Sequence, residues 1–455
     1  MKHIHFIGIC GIAMGSLALA FKRADWKVTG SDVGFYPPMS TFLKESGVEY
    51  YPGWHPEKMG VPDLVVIGNV AGSANPEWLY VQKNKIKYLS YPEAVAQYFI
   101  KRNSIVCAGT YGKTTTTSLL SFVMAEAGFD PSYMFGGLMA NNSVSAKITA
   151  SDWSVMEGDE YRTSREDNRA KFFSYQPTHL LLTAVAWDHA DVYPTEELYV
   201  NAFHELVKMI PTNGLIVVSE NVAHVILENT KIRLVQYGKN SEVDYYYQNI
   251  FQTKDGITFE IVHQQNKYPI TCPMIGEYNA ENICGAFAMA REIGISPEKI
   301  ISAITKFPGI KRRLQKRGQI NGADVYDDIA HSPIKVNPVL KSLREIYTGK
   351  IIAIFEPNTG NRQAESIPQY TQAFADADIV IIPRLTKIKI DNSQIEQPLE
   401  GDSLTEIIIS THKQVMYIED DTKLINYLKQ KTTANDAVVF LGSHGFRGMI
   451  DELVK

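Results

Sequence analysis

Apolar residues along this chain gather in short runs, and between the runs they recur at helical spacing. Runs at residues 3–7, 26–29 and 64–67 alternate with helical patterns at 12–21 and 39–46. Strands that alternate with helices predict a parallel sheet. The same rhythm resumes after residue 101, with strand-like runs at 104–108, 153–156, 180–183 and 215–218. A β-rich stretch at 243–272 predicts an antiparallel edge, and helical patterns at 280–291 and 297–306 follow it. Residues 307–318 mix Pro308, Gly309 and Gly318 with Lys311, Arg312, Arg313, Lys316 and Arg317. That mixture reads as a linker. Beyond it, strands are expected at 323–326, 351–355, 379–382, 415–418 and 437–441. The pattern predicts an α/β protein of three domains, 1–101, 102–313 and 314–455, the first and last Rossmann-like.

A length of 455 residues suits several domains, and 45% hydrophobic with 21% charged residues is ordinary for a folded chain. The net charge of −5 provides no basic field, so duplex nucleic acid is not an expected partner. Cys10, Cys107, Cys272 and Cys284 are scattered without metal or disulfide spacing and read as small buried residues. The N-terminus enters a strand pattern directly, and no apolar run reaches membrane-spanning length. A soluble, cytoplasmic protein with no membrane partner is expected. Oligomeric state leaves no mark in the sequence.

The strongest chemical signal is residues 104–117, SIVCAGTYGKTTTT. An apolar strand ends in a glycine loop that feeds a helical segment predicted over 114–127. Gly109 and Gly112 let backbone N–H groups turn toward a phosphate. Lys113 brings positive charge to the outer phosphates, and Thr114 or Thr115 can offer a hydroxyl to Mg²⁺. The spacing is Gly-Thr-x-Gly-Lys-Thr-Thr, shorter than the Walker pattern, because Cys107 stands five residues before Gly112. The central domain is therefore read as a P-loop ATPase-type domain.

Other constellations admit more than one reading each. Gly8, Gly11 and Gly15 after the first strand, with Asp32 after the next, suit a nucleotide diphosphate, a dinucleotide or plain tight packing. Glu157, Asp159 and Glu160 close a buried strand and read as magnesium ligands or as a solvated acidic turn. His189 sits between Asp188 and Asp191 at another strand end, near metal or phosphate or simply structural. Asn279 is an N-cap or a nucleotide contact. Arg312 and Arg313 form a solvated hinge or a phosphate clamp brought in by domain closure.

Taken in order, these motifs resemble the Mur ligases, the ATP-dependent amide-forming enzymes of peptidoglycan synthesis, from end to end. Residues 30–32 (GSD), 67–69 (IGN), 75–77 (NPE), 157–161 (EGDEY), 169–172 (RAKF), 188–191 (DHAD), 311–313 (KRR) and 326–331 (YDDIAH) look most like the murein peptide ligase branch. The resemblance implies a UDP-sugar site at Gly8, Gly11, Ser31, Asp32 and Asn69. It implies ATP at Gly109, Thr110, Gly112, Lys113, Thr114, Thr115, Asn279, Asn282, Arg313 and Asp328. Thr114, Glu157 and His189 would hold Mg²⁺, with Lys113, Glu157 and His189 as catalytic groups. His331, Asn358, Arg362, Ser443 and Arg447 would face the amino substrate.

The implied activity joins the carboxylate of UDP-N-acetylmuramate to the amine of L-Ala-γ-D-Glu-meso-diaminopimelate through an acyl phosphate, in peptidoglycan recycling. ATP and Mg²⁺ are the implied cofactors, and the partners are these small molecules. Ligation of free L-alanine is the alternative, and a nicotinamide-dependent oxidoreductase is a remote one. The chain departs from the family pattern at Tyr111 and Tyr278, where the family has His. It departs again at 355–362 (FEPNTGNR), which lacks the Arg expected after Glu-Pro, and at 442–446 (GSHGF).

Overall fold

The computed structural model describes every residue except 164–166, 190–191, 223, 229 and 387–397. Its internal contacts divide the chain into two compact units. One comprises Met1–Asn249, Phe259–Thr271 and Ala280–Pro308, and the other comprises Ile250–Thr258, Cys272–Asn279 and Gly309–Lys455. Among the described residues, no helix is long and apolar enough to cross a membrane.

The first sheet holds β1 (His3–Ile7), β2 (Lys27–Asp32), β3 (Glu49–Pro52), β4 (Leu64–Ile67) and β5 (Tyr88–Ser90) in the order β3-β2-β1-β4-β5. All its pairs are parallel. Its helices are α1 (Ile12–Arg23), α2 (Met39–Glu45), α3 (Pro76–Lys83) and α4 (Tyr91–Tyr98). Strand order reverses between β1 and β4, and ligands of doubly wound sheets settle beyond the carboxyl ends at such a point. Gly8 leaves β1 there, and Gly68 and Asn69 leave β4 beside it.

The second sheet has ten strands: β6 (Asn103–Ala108), β7 (Ser132–Met134), β8 (Ala146–Lys147), β9 (Trp153–Gly158), β10 (His179–Leu182), β11 (Leu215–Ser219), β12 (Arg233–Gly238), β13 (Tyr245–Thr253), β14 (Gly256–His263) and β15 (Asn266–Cys272). They lie in the order β15-β14-β13-β12-β11-β10-β6-β9-β7-β8. Two-residue connections join β13 to β14 and β14 to β15, a link that antiparallel neighbours make, so the expected antiparallel edge is present. Helices α5 (Lys113–Glu126), α6 (Glu196–Lys208), α7 (Glu277–Glu292) and α8 (Pro297–Lys306) follow. β6, buried from Ser104 onward, lies between β9 and β10, and this places three strand ends together.

One apolar cluster runs through the first two sheets, from Ile4, Phe6 and Leu17 to Val106, Leu180 and Phe203. Polar contacts tie them as well, with Ser16 Oγ 2.9 Å from Ser145 Oγ and Arg23 donating to the Ala146 carbonyl at 2.7 Å.

The third sheet, in the second unit, orders β16 (Gln315–Ile320), β17 (Ala323–Asp328), β18 (Ile351–Glu356), β19 (Ile379–Pro383), β20 (Val415–Ile418) and β21 (Ala437–Gly442) as β16-β17-β21-β18-β19-β20. Only β16 runs antiparallel to its neighbour. Helices α9 (Pro333–Ile346), α10 (Gly401–Ile409) and α11 (Asp421–Lys431) flank it. The three α/β sheets fulfil the fold expectation. The predicted linker is only partly one, because β16 takes up its last residues. Charged residues misled there: the alternation expected of a strand is hidden on an edge that faces solvent.

Candidate active site

The phosphate loop follows from local chemistry. Gly109 has φ +136° and Gly112 has φ +84°, regions that L side chains rarely enter. A Cβ at Gly112 would lie 2.4 Å from Asn282 Oδ1, and one at Gly109 would lie 2.3 Å from Thr183 Oγ1. Gly112 caps α5, whose N-terminal N–H groups and positive dipole end suit phosphate oxygens. The run Thr114–Thr117 is poor in helix propensity yet forms the first turns of α5. At its end Thr117 Oγ1 donates back to the Lys113 carbonyl at 2.8 Å, and the next residue, Ser118, donates through Oγ to that of Thr115 at 2.9 Å.

Lys113 folds over this loop. Its Nζ donates to the carbonyls of Gly109 (2.6 Å) and Thr110 (3.2 Å) and reaches Glu160 at 2.9 Å. Burial opposes its charge, but Glu160 outweighs it, so the ammonium pKa is raised. Glu160 also stands 3.4 Å from His189 Nε2. Burial alone would lower the His189 imidazole pKa, and Glu160 with Asp188 holds it above the ordinary value. His189 takes φ +57° and packs its ring 5.1 Å from that of Tyr161. Asp191 lies outside the described residues.

Thr114 Oγ1 donates to Glu157 Oε1 at 2.9 Å, while the Gly136 N–H donates to Glu157 Oε2 at 2.6 Å. Burial pushes the Glu157 carboxyl pKa up, although Gly136, Lys113 and Thr114 favour its anion. A hydroxyl and a carboxylate beside a phosphate loop are hard oxygen donors, and magnesium commonly takes one or two carboxylates with water and phosphate. The residues present therefore fit Mg²⁺ through Thr114 and Glu157. His189 is engaged with Glu160 in this arrangement. Among the described residues, no group of three or more His, Cys, Asp or Glu side chains is arranged to hold a metal by itself.

A cavity of about 230 Å³ joins this site to the first sheet, within the same unit. Gly68 and Asn69 line it together with Glu157, Asp159 and Lys171. At the first sheet, Gly8 has φ +90°, and nothing lies within 4 Å of a Cβ built on Gly11. Asp32 accepts from the Cys10 N–H and from its own neighbour Val33, both at 2.8 Å, so it braces the glycine loop. Ser31 Oγ donates to Glu77 at 2.5 Å. Glu77 is fully buried and accepts in addition from Tyr51 Oη (2.7 Å) and the His55 N–H (2.8 Å).

In the second unit, Asn279 lies inside the first turn of α7, which begins at Glu277. Its side chain donates to the Ile275 carbonyl at 2.7 Å. The N-cap reading of Asn279 is thus replaced, because the helix starts earlier than its apolar pattern. Asp328 is buried and accepts from the Leu314 N–H (2.6 Å) and the Ala330 N–H (2.7 Å). Burial raises its pKa against the pull of Arg313. Tyr278 is partly buried near both charges, and desolvation holds its phenol pKa well above the usual value. Arg312 departs from the solvated-hinge reading. Its guanidinium binds Asp327 (3.2 Å) and the carbonyls of Gly442 (2.5 Å), Ser443 (2.9 Å) and His444 (2.8 Å).

The expected amino-substrate residues follow the carboxyl ends of three neighbouring strands of the third sheet. His331 follows β17, Asn358 and Arg362 follow β18, and Ser443 and Arg447 follow β21, which lies between them. His331 Nδ1 lies 2.7 Å from the Ile329 carbonyl, and Ser443 Oγ lies 3.2 Å from His444 Nδ1. Asn358 caps the turn Thr359–Arg362. Arg362 is 3% exposed and donates to the carbonyls of Leu399 (2.8 Å) and Thr386 (2.9 Å). Arg447 is held by both oxygens of Asp421 at 2.8 Å, and Arg384 meets the same carboxylate at 3.0 Å.

Sequence reasoning did not single out Glu160 as the partner of Lys113 and His189, Glu77 as a buried hub, or Lys171 on the cavity. All three stood inside recognised motifs, but their partners come from other parts of the chain. Only Glu77 carried a local signal, the N-cap Asn75 before Pro76.

Comparison with known proteins matches three family models in order. Residues 3–102 match "Mur ligase family, catalytic domain", 107–290 the "Mur ligase middle domain" and 312–444 the "Mur ligase, glutamate ligase domain". The chain is 35% identical over 367 residues to a UDP-N-acetylmuramate–L-alanyl-γ-D-glutamyl-meso-2,6-diaminoheptandioate ligase of Haemophilus influenzae, covering 79% of this chain and 80% of that one. A UDP-N-acetylmuramate–L-alanine ligase of Bradyrhizobium is 29% identical over 97% of this chain and 94% of its own. The crystal structure of a murein peptide ligase from Psychrobacter arcticus superposes with a TM-score of 0.71 at 28% identity, over 100% of this chain and 98% of that one. The chain therefore belongs to the Mur ligase family, the ATP-dependent amide-bond-forming ligases.

Proposed function

We propose that this ligase joins the carboxylate of UDP-N-acetylmuramate to the amine of L-Ala-γ-D-Glu-meso-diaminopimelate, in peptidoglycan recycling. The observation that carries the reading is the cavity that runs from Gly68 and Asn69, at the switch point of the first sheet, to Glu157 beside the phosphate loop. It gives a sugar nucleotide a way to present its far end to ATP. Identity of 35% to a relative named for this tripeptide supports the amine.

In this reading the sugar carboxylate attacks the γ-phosphorus of ATP and ADP departs. The peptide amine then attacks the acyl phosphate, loses a proton and expels phosphate. Gly109, Thr110, Gly112 and Thr115 would shape the phosphate cradle. Lys113 would leave Glu160 for the phosphate oxygens and offset charge spread over them in the transition state. Glu160 would then retain His189. Mg²⁺, held by Thr114 and Glu157, would supply neutralising charge at the phosphates. Asn282, whose Oδ1 faces the Gly112 turn of the loop, would meet the nucleotide. His331, Asn358, Ser443 and Arg447 would face the peptide. No side-chain nucleophile is required, so positioning does most of the work. We take 1–101, 102–313 and 314–455 as the working domains and the cytoplasm as the working compartment.

Free L-alanine is the second acceptor to test, because the Bradyrhizobium relative spans nearly the whole chain. The oxidoreductase alternative has no support once family membership stands. Phosphate release from ATP with UDP-N-acetylmuramate, measured while the amine is varied, decides between acceptors. The tripeptide should give a higher kcat/KM than L-alanine, and the reverse order would hand the function to the alanine reading.

A further inference from the structure

Lys171 has no role in the reading above. It opens the single turn Lys171–Ser174, just after the bridge between Arg162 and Ala170. Its ammonium lies 2.6 Å from Asp159 Oδ2 and 5.4 Å from the centre of the Tyr161 ring. The side chain is only 12% exposed. At 2.6 Å the Lys171 ammonium and the Asp159 carboxylate form an ion pair.

Both residues line the 230 Å³ cavity that Asn69 and Glu157 also line. Among the described residues that line it, Lys171 is the one cation, set against the carboxylates of Glu157 and Asp159. An anionic substrate group entering there meets repulsion from two sides unless a cation receives it. An ammonium has three donors, and one is spent on Asp159. Asp159 and the Tyr161 ring fix where the remaining donors are carried.

We infer that Lys171 is a substrate-binding residue that receives the carboxylate of the sugar nucleotide and holds it beside the phosphate loop. This rests on the function proposed above and adds a specificity to it. A carboxylate-bearing N-acetylhexosamine nucleotide is favoured over its neutral counterpart by the Lys171 ammonium. Asp159 acts through Lys171 as a positioning residue.

The test compares binding of UDP-N-acetylmuramate and UDP-N-acetylglucosamine, which lacks the carboxylate, to the full-length protein by calorimetry. Wild type is expected to bind the acid at least tenfold more tightly. Lys171→Met should lose that preference by weakening only the acid, with ATP affinity unchanged, and Lys171→Arg should keep part of it. If Lys171→Met does not fold, Asp159→Asn/Lys171→Met removes both charges and should show the same lost preference. A variant that keeps the wild-type ratio, or weakens both nucleotides equally, overturns the assignment and leaves the ligase reading standing. Wild-type protein that binds neither nucleotide overturns both.

Discussion

The Lys113 ammonium stands 2.9 Å from each carboxylate oxygen of Glu160. The cation that a nucleotide would claim is thus held by an internal anion, itself only 1% exposed. Such a pairing keeps the loop shaped while a buried charge waits for its ligand. Lys113→Ala should cut turnover about 10²–10³-fold, the usual effect of removing one group that acts on transition-state charge. Steady-state ATP turnover of a folded variant checks this, and near-normal rates would remove Lys113 from the mechanism.

Asp32 braces the first glycine loop through the Cys10 N–H. Asp32→Ala removes a charge-assisted hydrogen bond, an interaction worth about 1.5–3 kcal/mol. Binding of UDP-N-acetylmuramate should weaken roughly ten- to a hundredfold, with ATP affinity nearly unchanged. Calorimetric titration with each ligand separates the two. Loss of ATP affinity instead would contradict separate nucleotide sites.

Glu157 predicts opposite effects on stability and activity. Burial, the largest influence, raises its pKa, so the folded protein binds that proton more tightly than the unfolded chain does. The group favours folding below its unfolded value, about 4.3, and this contribution disappears as pH rises through the higher folded value. Glu157→Gln should therefore raise the melting temperature of the metal-free, nucleotide-free protein at pH 7–8, by more than at pH 5, while abolishing magnesium-dependent turnover. Melting curves across that range are the check, and a lower midpoint at pH 8 would refute the burial argument.

Arg362 and Arg447 were expected to do the same work, and the structure separates them. Arg362 is buried against two backbone carbonyls, so Arg362→Ala should cost about 1–3 kcal/mol of stability by leaving acceptors unpaired. Denaturant unfolding measures it. Arg447 is exposed and oriented by Asp421, so Arg447→Ala should raise the KM for peptide about tenfold while the KM for ATP holds. Equal rises in both values would take Arg447 out of amine recognition.

The phosphate loop was legible because everything it needs is local. A buried strand, two glycines with φ above +80°, and a helix start with Lys113 and Thr114 lie within a dozen residues of one another. Strand-to-helix alternation set the three sheets for the same reason: each strand is a short apolar run whose identity does not depend on distant partners. Short edge strands such as Glu49–Pro52 and Gln315–Ile320 escaped, since their half-exposed, polar faces carry no apolar run.

The family, the phosphate loop and the α/β alternation can be read from residue order alone. Which anion holds Lys113, that Arg362 is a buried brace, and that Asn69 and Lys171 share one cavity follow from the folded arrangement. The physical reason lies in the sheet. Parallel strands are joined by long crossovers, so residues such as Lys113 and Glu160 meet at adjacent strand ends although 47 positions separate them. Their charges and their burial are set there and not by their neighbours in sequence.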